Sequence, residues 1–580
     1  MNTDRRHKWW GWGSAGTRFD ASDRPAFWPW IRSVVTLPER PVFPPMPREQ
    51  IRLPPRRIHA PFEDAAVAVL GGAAVRGDDD ERLRHAYGRS LRDLIRLRAC
   101  LFERVPDLIL YPSSHDQVAT LVELAVEHDV CLIPFGGGTN IAGCVEAKGR
   151  DDRVVVTLDL AQMNRLLAVD RESCTARFEA GVFGPDLETA LAQHGLTLGH
   201  QPDSFQFSTL GGWLATRSAG TLSNAYGKIE DMVLSLRVVT PSGTIETRTV
   251  PACASGPDIN RLLVGSEGVF GVITEAVVRV HPLPQFEDYR LMLFRSFPDG
   301  LAALRACQEA GCLPSLARLS DPRETELVFA CRHVTPGWKR WLQAPLKAYL
   351  RRRGYAAPCA AVIAFEGPAR TAATLHREAM RILRRFGAVD LGTGPGNRWR
   401  HSRYDLPYLR DYLLDYNLMC DSMETATVWS NLLPLVECVR EATRAAATET
   451  TGQAGYIGCH LSHFYPTGAC VYFLFGAAAR PGSSPESAIE QYAAIKARGT
   501  AAILAAGGTL THHHSVGFEH LPWMTVEHSP AALNALRAVK AELDPTNLMN
   551  PGSLLPPAEV PLANGCLAKV PVEVLPTGTL

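Results

Sequence analysis

Apolar residues recur with two different periods in the first half of the chain, and together they predict a strand–helix–strand unit. Residues 108–112 and 131–135 are short apolar runs of the length of a strand. Between them, residues 115–128 carry apolar side chains at helical spacing, and Ser113 or Ser114 precedes them as a candidate N-cap. The pattern therefore predicts two strands joined by one helix.

The pattern of apolar residues also predicts further strands up to residue 280. Alternating or β-branched runs predict strands at 154–158, 167–169, 175–180 and 272–280, and a hairpin of 233–240 with 244–247. Helical periodicity predicts helices over 78–104 and 185–194. The prolines of Pro282-Leu283-Pro284 indicate a domain boundary.

Beyond that boundary, strands and helices alternate at wider spacing. Strands are predicted at 289–294, 315–319, 360–365, 454–462 and 470–475, and a helix at 531–542. Residues 1–60 are rich in Pro, Arg and Trp and indicate an N-terminal arm, whereas 556–580 indicate a loose tail.

The run 131–135 leads directly into Gly136-Gly137-Gly138-Thr139-Asn140, the most informative local motif of the chain. Adjacent residues without Cβ let backbone N–H groups approach an anion closely, as a pyrophosphate-binding loop requires. The motif is neither G-x-G-x-x-G nor a P-loop. Alone, it is equally typical of an ordinary tight turn.

Two later Gly- and Ser-rich segments, 203–220 and 264–276, favour the cofactor interpretation. A large flat cofactor needs several backbone-accessible segments; the competing interpretation is three unrelated loops. The candidate cofactor-binding residues are Pro134, Gly136, Gly137, Gly138, Thr139, Asn140, Asp203, Ser204, Ser208, Thr209, Gly211, Gly212, Thr216, Ser218, Gly220, Glu267, Gly268, Gly271, Val272 and Ile273.

In this order, the three segments resemble the flavin domain of the vanillyl-alcohol-oxidase type of FAD protein. Further motifs narrow the resemblance to the alkyldihydroxyacetonephosphate synthase family, over roughly residues 8–553. These motifs are FERVPD at 102–107, GHQPDS at 199–204, YLRD at 408–411, YPTGACVYF at 465–473 and THHHSVG at 511–517.

The resemblance implies a non-covalently bound FAD and an α+β fold. A two-part FAD-binding domain of the vanillyl-alcohol-oxidase (PCMH) type would be joined by a cap domain with an antiparallel sheet and helices. The expected division is an arm at 1–60, an FAD-binding domain at 61–285 with its core at about 104–285, a cap or substrate domain at 286–530, a return to the FAD domain at 531–555 and a tail at 556–580.

Composition narrows the classes of function. Sixty basic and sixty acidic residues balance to zero net charge, which argues against a dedicated nucleic-acid binder. The 14 cysteines lack zinc-like C-x-x-C pairs and indicate buried thiols of a reducing compartment. We expect a cytoplasmic protein, since secretory, membrane-spanning and Ser-Lys-Leu signals are not found. Basic residues at 339–340, 347 and 351–353 indicate either a solvated surface or a patch for anionic lipid.

Three consecutive histidines, His512, His513 and His514, are candidates for proton transfer because imidazole titrates near neutral pH. A metal-binding tract is the alternative. Adjacent side chains of a strand point to opposite faces and rarely share one ion, so we expect no metal. Strand alternation predicts His512 and His514 on one face and His513 on the other. The resemblance implies an active-site position for the run and carries the proton-transfer role to His513 and His514.

Tyr465, Arg410 and Arg318 complete the candidate site. A lone tyrosine is usually core or surface, but the resemblance implies an acid/base role for Tyr465. A phenol titrates near pH 10, so Arg410 or a histidine would have to lie nearby. Arg410 either pairs with Asp411 on the surface or, by resemblance, binds a substrate phosphate or carboxylate. Arg318 is the second substrate-binding candidate.

The chain departs from the family pattern at several positions. Ser515 follows the third histidine where the family often has Gly, and Asn140 stands where eukaryotic members carry Ser. Pro466-Thr467 replaces Asp-Ala. These changes are expected to retune the substrate without changing the fold.

By resemblance, the chain is an alkyl transferase of ether-lipid synthesis. Acyl-dihydroxyacetone phosphate would exchange its acyl group for a long-chain fatty alcohol without net redox, with FAD as electron sink. Tyr465 or a histidine would remove a proton from C1. Lipid substrates imply an apolar tunnel in the cap and peripheral membrane contact, and a homodimer is expected. The alternatives are an FAD-linked D-2-hydroxy acid dehydrogenase passing electrons to an acceptor, and a flavoprotein scaffold.

Overall fold

The computed structural model describes residues 6–147, 152–333 and 343–557. The chain forms two compact units. Unit 1 contains the described residues before Arg18, Pro45–Leu283 and those from His513 onward, and unit 2 contains Arg18–Pro44 and Pro284–His512. Beyond the N-terminal segment, the chain passes from unit 1 to unit 2 after Leu283 and returns to unit 1 after His512.

The first sheet of unit 1 contains the predicted strand–helix–strand unit. Its strands are β1 (Val75–Arg76), β2 (Leu108–Leu110), β3 (Cys131–Phe135) and β4 (Val155–Asp159), in the order β1-β2-β4-β3. The last three are parallel, and β1 is antiparallel to β2. The helix His115–Glu127, capped by Ser114, joins β2 to β3 and buries Val118 and Leu121. This confirms the local prediction.

The second sheet of unit 1 is antiparallel. The next strands along the chain are β5 (Leu166–Asp170), β6 (Thr175–Glu179), β7 (Leu196–Thr197), β8 (Val233–Thr240), β9 (Gly243–Glu246), β10 (Val272–Arg279) and β11 (His281–Pro282). Five of them form a sheet in the order β5-β6-β10-β8-β9, and β7 pairs separately with β11. The predicted strands and hairpin are present, with ends displaced by about one residue.

The prediction of one helix over 78–104 is wrong. The structure has two helices, Asp79–Arg84 and Leu91–Ala99. Between them, the backbone N–H of Arg89 donates to the carbonyl of Asn140 at 2.6 Å, and Ser90 then caps the second helix. A hydrogen bond to the distant glycine loop therefore interrupts the helical periodicity.

The end of the described chain returns to the first sheet. The other α-helices of unit 1 are Ala60–Leu70, Gly184–Ala192, Leu210–Thr216, Ser223–Tyr226, Ile229–Met232, Ile259–Leu263, Gly517–His520, Met524–Glu527 and Pro530–Leu543. After the last of them, Leu132 of β3 donates to the carbonyl of Leu548 and accepts from the N–H of Asn550. The buried ammonium of Lys540 donates to the carbonyls of Val269 and Met549, both at 2.8 Å.

Unit 2 is built on a seven-stranded antiparallel sheet. Its strands are β12 (Phe286–Phe294), β13 (Leu316–Ser320), β14 (Cys359–Gly367), β15 (Val389–Asp390), β16 (Leu418–Val428), β17 (Tyr456–Phe464) and β18 (Gly468–Ala478), in the order β15-β12-β14-β13-β17-β18-β16. Five match predicted strands. β16 escapes prediction because its buried positions include Asp421 and Glu424, which break the apolar pattern of a strand.

The helices of unit 2 include one from the N-terminal segment. They are Phe27–Val34, Phe297–Glu309, Pro322–Ala330, Gln343–Arg352, Ala369–Arg385, Thr393–Ser402, Leu406–Leu414, Leu432–Thr451 and Pro485–Ala505. The expected single arm is thus divided between the units. Before Arg18, the carbonyl of Gly11 accepts from the Nε of Arg89, whereas Phe19 packs 5.4 Å from the ring of Tyr412. Aromatic burial places this second part in unit 2.

Some expectations fall on residues outside those described. Lys339 and Arg340 of the basic cluster, the side chain of Lys347 and most of the tail belong to this group. The side chains of 351–353 are described and exposed. In the described part of the chain, every helix is too short or too polar to cross a bilayer.

Candidate active site

The glycine loop after β3 presents backbone donors that have no protein acceptor. In the described part of the chain, the N–H groups of Gly137, Gly138 and Thr139 donate to no protein atom. The loop is also packed closely, because a Cβ on Gly137 would overlap the carbonyl oxygen of Phe207. Unsatisfied N–H groups on a loop without Cβ atoms fit an anion such as a pyrophosphate.

Asn140 closes this loop through its side chain. Its Oδ1 accepts hydrogen bonds from the N–H groups of Ala142 and Cys144, both at 2.9 Å. Its Nδ2 donates to Oγ of Ser515 at 3.0 Å. Both ends of the amide therefore bind the protein, and Asn140 supports the shape of the loop.

The second predicted segment, 203–220, packs against the glycine loop. Thr209 caps the helix Leu210–Thr216, and a Cβ on Gly136 would overlap its Oγ1. Oγ of Ser208 accepts a hydrogen bond from Nε1 of Trp213 at 2.7 Å. The other candidates of this segment are Asp203, Ser204, Gly211, Gly212, Thr216, Ser218 and Gly220, all between β7 and β8.

The third predicted segment contacts β3, the strand that leads into this loop. Gly268 has φ +75°, a conformation that favours glycine, and a Cβ there would lie 2.9 Å from Cγ of Pro134. Gly271 follows, and Val272 and Ile273 begin β10. The three segments that the sequence singles out separately thus meet at β3 and the loop that follows it in unit 1.

Glu267, at the start of this third segment, binds the turn that follows the histidines. Its carboxylate accepts the N–H groups of Val516 at 2.6 Å and Gly517 at 2.9 Å. The thiol of Cys144 also donates to it at 3.1 Å. A direct contact of Glu267 with the cofactor stays a prediction, since its carboxylate serves the protein.

The residues of unit 1 fit a dinucleotide such as FAD. The fit rests on the unpaired backbone donors and on close packing that only glycine permits at the centre of the loop. Gly137, Gly138 and Thr139 would hold the pyrophosphate.

In unit 2, Tyr465 and His512 are directly hydrogen-bonded. The phenol oxygen of Tyr465 lies 2.5 Å from Nε2 of His512, and their rings meet edge to face. Tyr465 sits in the turn between β17 and β18, where its N–H donates to the carbonyl of Gly468 at 2.8 Å. A phenol paired with an imidazole can pass a proton to it and recover it.

The prediction that the three histidines lie on a strand is wrong. The chain bends at these residues, and the division between the units falls directly after His512. The rings of His513 and His514 lie 4.5 Å apart, so they do not point to opposite faces. Alternation fails because side chains outside the run hold both of its ends. Glu424 binds the N–H of His512, and Glu267 binds the turn after His514.

Arg318 on β13 is held by a buried carboxylate. Its guanidinium lies 2.8 Å from Oε1 of Glu324, which also binds Nδ1 of His460 at 2.9 Å. Burial opposes the charge of Glu324, but His460 and Arg318 outweigh it and lower its pKa to about 2. Contact of Arg318 with substrate stays a prediction.

Arg410 and Asp411 lie at ion-pair distance, but the pair is buried and not on the surface. The side chain of Arg410 is 12% exposed and that of Asp411 is 5% exposed, with 3.8 Å between them. Burial opposes ionisation of the nearby Asp421, but Lys496, Tyr492 and Arg410 together lower its pKa. Arg410 therefore belongs to a buried charged group, and its substrate-binding role stays a prediction.

Two residues near Tyr465 escape the sequence reading. Glu424 of β16 accepts from Oγ1 of Thr511 at 2.6 Å and from the N–H of His512 at 2.7 Å. His463 has φ +49° at a β-bulge of β17, and its ring lies 5.3 Å from that of His512. The available signal for His463 was its place two residues before Tyr465; nothing local marks Glu424.

Glu424, Cys470 and His512 also have metal-ligand donor atoms within 4.8 Å of one another. The strand argument against a shared ion no longer applies, since the histidines are not on a strand. Both oxygens of the carboxylate, however, already accept hydrogen bonds from the protein. The structure shows Glu424 as an acceptor for residues 511 and 512, and the expectation of no metal stays a prediction.

Two family models of FAD proteins match this chain. A family model described as "FAD binding domain" matches residues 106–248, and one described as "FAD linked oxidases, C-terminal domain" matches residues 283–554. These matches support FAD as the cofactor.

Relatives named alkyldihydroxyacetonephosphate synthase match most of the chain. The Dictyostelium discoideum protein is 40% identical over 83% of this chain and 78% of its own length. The Trypanosoma brucei brucei protein is 39% identical over 86% and 81%. A solved structure of an alkyldihydroxyacetonephosphate synthase superposes with TM-score 0.82 at 34% identity, covering 95% of this chain and 100% of that one. These matches show that the chain belongs to the alkyldihydroxyacetonephosphate synthase family of FAD-dependent enzymes.

Proposed function

We propose that this enzyme exchanges the acyl group of acyl-dihydroxyacetone phosphate for a long-chain fatty alcohol. The bond between C1 and the acyl oxygen breaks, and the fatty acid leaves. The alcohol oxygen forms the new ether bond to C1. The released carboxylate takes up the proton that the alcohol loses. C1 exchanges one oxygen substituent for another, so no electron acceptor is consumed.

The observation that carries this proposal is the hydrogen bond between Tyr465 and His512. Tyr465 removes the C1 proton as its own proton passes to Nε2 of His512, and the pair later returns it. His513 and His514, by resemblance, handle protons at later steps. Bound FAD supplies an electron sink for the reacting carbon.

Arg410 and Arg318 are proposed to bind the phosphate of the substrate. A guanidinium presents forked donors that match phosphate oxygens. Nη2 of Arg318 donates a hydrogen bond to Oε1 of Glu324 at 2.8 Å, and this bond orients the guanidinium.

The proposal is tested with FAD-loaded protein, acyl-dihydroxyacetone phosphate and labelled hexadecanol under argon, without dye. We expect label in an ether product and one fatty acid released per ether formed. Tyr349→Phe, at a tyrosine that is 57% exposed, is the matched control for Tyr465→Phe. If a D-2-hydroxy acid reduces a dye catalytically while the lipid yields nothing, the enzyme is the dehydrogenase considered as the alternative.

We further propose a cytoplasmic homodimer that contacts membranes peripherally. The exposed arginines at 351–353 favour attraction to anionic lipid. Light scattering of the purified protein tests the dimer. Co-sedimentation with phosphatidylserine and phosphatidylcholine vesicles tests the membrane contact, which is expected only for the anionic lipid and only at low salt.

A further inference from the structure

Glu424 places a buried carboxylate beside the proposed proton-transfer pair. Its residue is 3% exposed, in the middle of β16 and opposite Tyr472 of β18. Burying a carboxylate is unfavourable unless hydrogen bonds satisfy it. Its two oxygens accept from Thr511 and from the backbone N–H of His512, at 2.6 and 2.7 Å. Both bonds hold the segment that carries His512, the histidine that is hydrogen-bonded to Tyr465.

The ring of His512 is held by groups around it. Nε2 meets the phenol of Tyr465 at 2.5 Å, and the ring of His463 lies 5.3 Å away at an interplanar angle of 30°. A ring nitrogen of His512 also lies within 4.8 Å of a carboxylate oxygen of Glu424 and of Sγ of Cys470. Among these neighbours, Glu424 is the residue whose carboxylate can stabilise a positive charge on the imidazole.

We propose that Glu424 is the positioning residue of the Tyr465–His512 pair. It fixes the backbone at residue 512 so that Nε2 faces the phenol, and its charge stabilises the imidazolium formed when Tyr465 gives up its proton. At a few ångströms in a partly desolvated site, opposite charges attract far more strongly than in water. The proposal rests on the proposed function for the identity of the proton acceptor, and Glu424 itself contacts no substrate.

Two variants separate the charge from the hydrogen bonds. Glu424→Gln keeps the shape and one acceptor for the N–H of His512 but removes the charge. Thr511→Val removes one hydrogen bond to the same carboxylate and leaves the charge in place. If Glu424 only held the segment together, the two changes would have similar effects.

In the labelled-alcohol assay, we expect Glu424→Gln to lower kcat by about tenfold to a hundredfold with KM little changed, and Thr511→Val to lower it by less than about threefold. Flavin content should be unchanged in both. In a Tyr465→Phe background, Glu424→Gln should add no further loss, because the pair through which it acts is already broken.

A second measurement does not need turnover. Carbethoxylation of His512 by diethyl pyrocarbonate, located by mass spectrometry and followed against pH, reports when the ring is neutral. Without the carboxylate the imidazolium is less stable, so Glu424→Gln should shift the midpoint to lower pH, and Thr511→Val should not. Tyr465, His463 and Cys470 face the ring in all variants and serve as a constant background.

Several outcomes overturn the proposal. An unchanged midpoint in Glu424→Gln, equal kcat losses in Glu424→Gln and Thr511→Val, or additive losses with Tyr465→Phe each contradict it. Activity that is lost on chelation and restored by Zn²⁺ would make Glu424, Cys470 and His512 a metal site instead. If the parent forms no ether, the proposed function fails; if Tyr465→Phe keeps full activity, the role assigned to Tyr465 fails. In both cases the carbethoxylation midpoint still decides whether Glu424 controls His512.

Discussion

Asn140 and Ser515 bind each other through their side chains, with Nδ2 of Asn140 donating to Oγ of Ser515 at 3.0 Å. Asn140 ends the glycine loop, and Ser515 follows the three histidines. The serine adopts φ +74°, which a glycine would adopt more readily. Two of the positions that depart from the family pattern are therefore in contact, and we expect their effects to be coupled.

A double-mutant cycle on this pair measures the coupling. Asn140→Ser should weaken FAD binding because Ala142 and Cys144 lose their shared acceptor. In a Ser515→Gly background the loss should be smaller, with an interaction energy of about 0.5–1.5 kcal/mol. FAD titration of the apoprotein provides the readout. The exposed Ser255, changed to Gly, is the control, and additivity in the Asn140–Ser515 cycle would show that the hydrogen bond does not couple the two segments.

A single Cβ on the glycine loop should remove FAD binding. In Gly137→Ala the new atom would overlap the carbonyl of Phe207, so the loop must move away from the second segment. Displacing a closely packed loop costs about 1–3 kcal/mol, and we expect FAD affinity to fall about tenfold or more. Gly72→Ala, where nothing lies within 4 Å, is the matched control. Equal flavin retention in both variants would contradict the binding of the pyrophosphate by the glycine loop.

Tyr465→Phe and His512→Ala should each keep FAD and lose transfer by about 10²–10⁴-fold, the usual contribution of a positioned acid or base. The structure pairs His512 with Tyr465, so His512→Ala should be at least as severe as His513→Ala or His514→Ala. Single-turnover assays on the flavin-loaded variants provide the comparison. A more severe loss in His513→Ala alone would return the main role to that histidine.

Arg410→Lys should raise KM for acyl-dihydroxyacetone phosphate about tenfold with a smaller change in kcat. The reason is that an ammonium cannot reproduce the forked donors of a guanidinium. Arg305→Lys, at a side chain that is 56% exposed, controls for the chemistry of the substitution. Steady-state kinetics with varied lipid provide the measurement, and an unchanged KM would exclude Arg410 from substrate binding.

Glu324 should make unit 2 sensitive to acid. Its pKa in the folded protein is about 2, below the ordinary 4.5. A carboxyl with a lowered pKa contributes stability above its unfolded pKa and loses it as pH falls through the folded value, so stability should fall between about pH 4.5 and 2.

The thermal midpoint against pH tests this sign. Glu324→Gln should be less stable than the parent at pH 6 and should lose less stability on acidification, since it has no carboxylate to protonate. Glu309→Gln, at an exposed side chain, should follow the parent. Parallel pH profiles for the parent and Glu324→Gln would contradict the assignment of the acid sensitivity to this group.

The local spacing of apolar residues is enough to predict an element whose cap and buried face both lie within its own sequence. The helix His115–Glu127 has its cap and its apolar face within about a dozen residues, and the structure matches the sequence there. The helix over 78–104 fails because Arg89 bonds a carbonyl fifty residues away, which no local pattern reveals. The prediction misses β16 because its inward positions include carboxylates that a helix and a loop distant in sequence satisfy.

The glycine loop and its two partner segments are predictable from the sequence alone, because backbone access depends on residues without Cβ and those are visible in the letters. The FAD cofactor follows from the resemblance of these segments to a known family. The sequence also placed Tyr465 and the histidines among the candidates. The hydrogen bond between His512 and Tyr465, and the positions of Glu424 and His463 beside His512, are visible only in the folded protein. The physical reason is that the direction of a side chain in a bent segment is set by hydrogen bonds from strands distant in sequence.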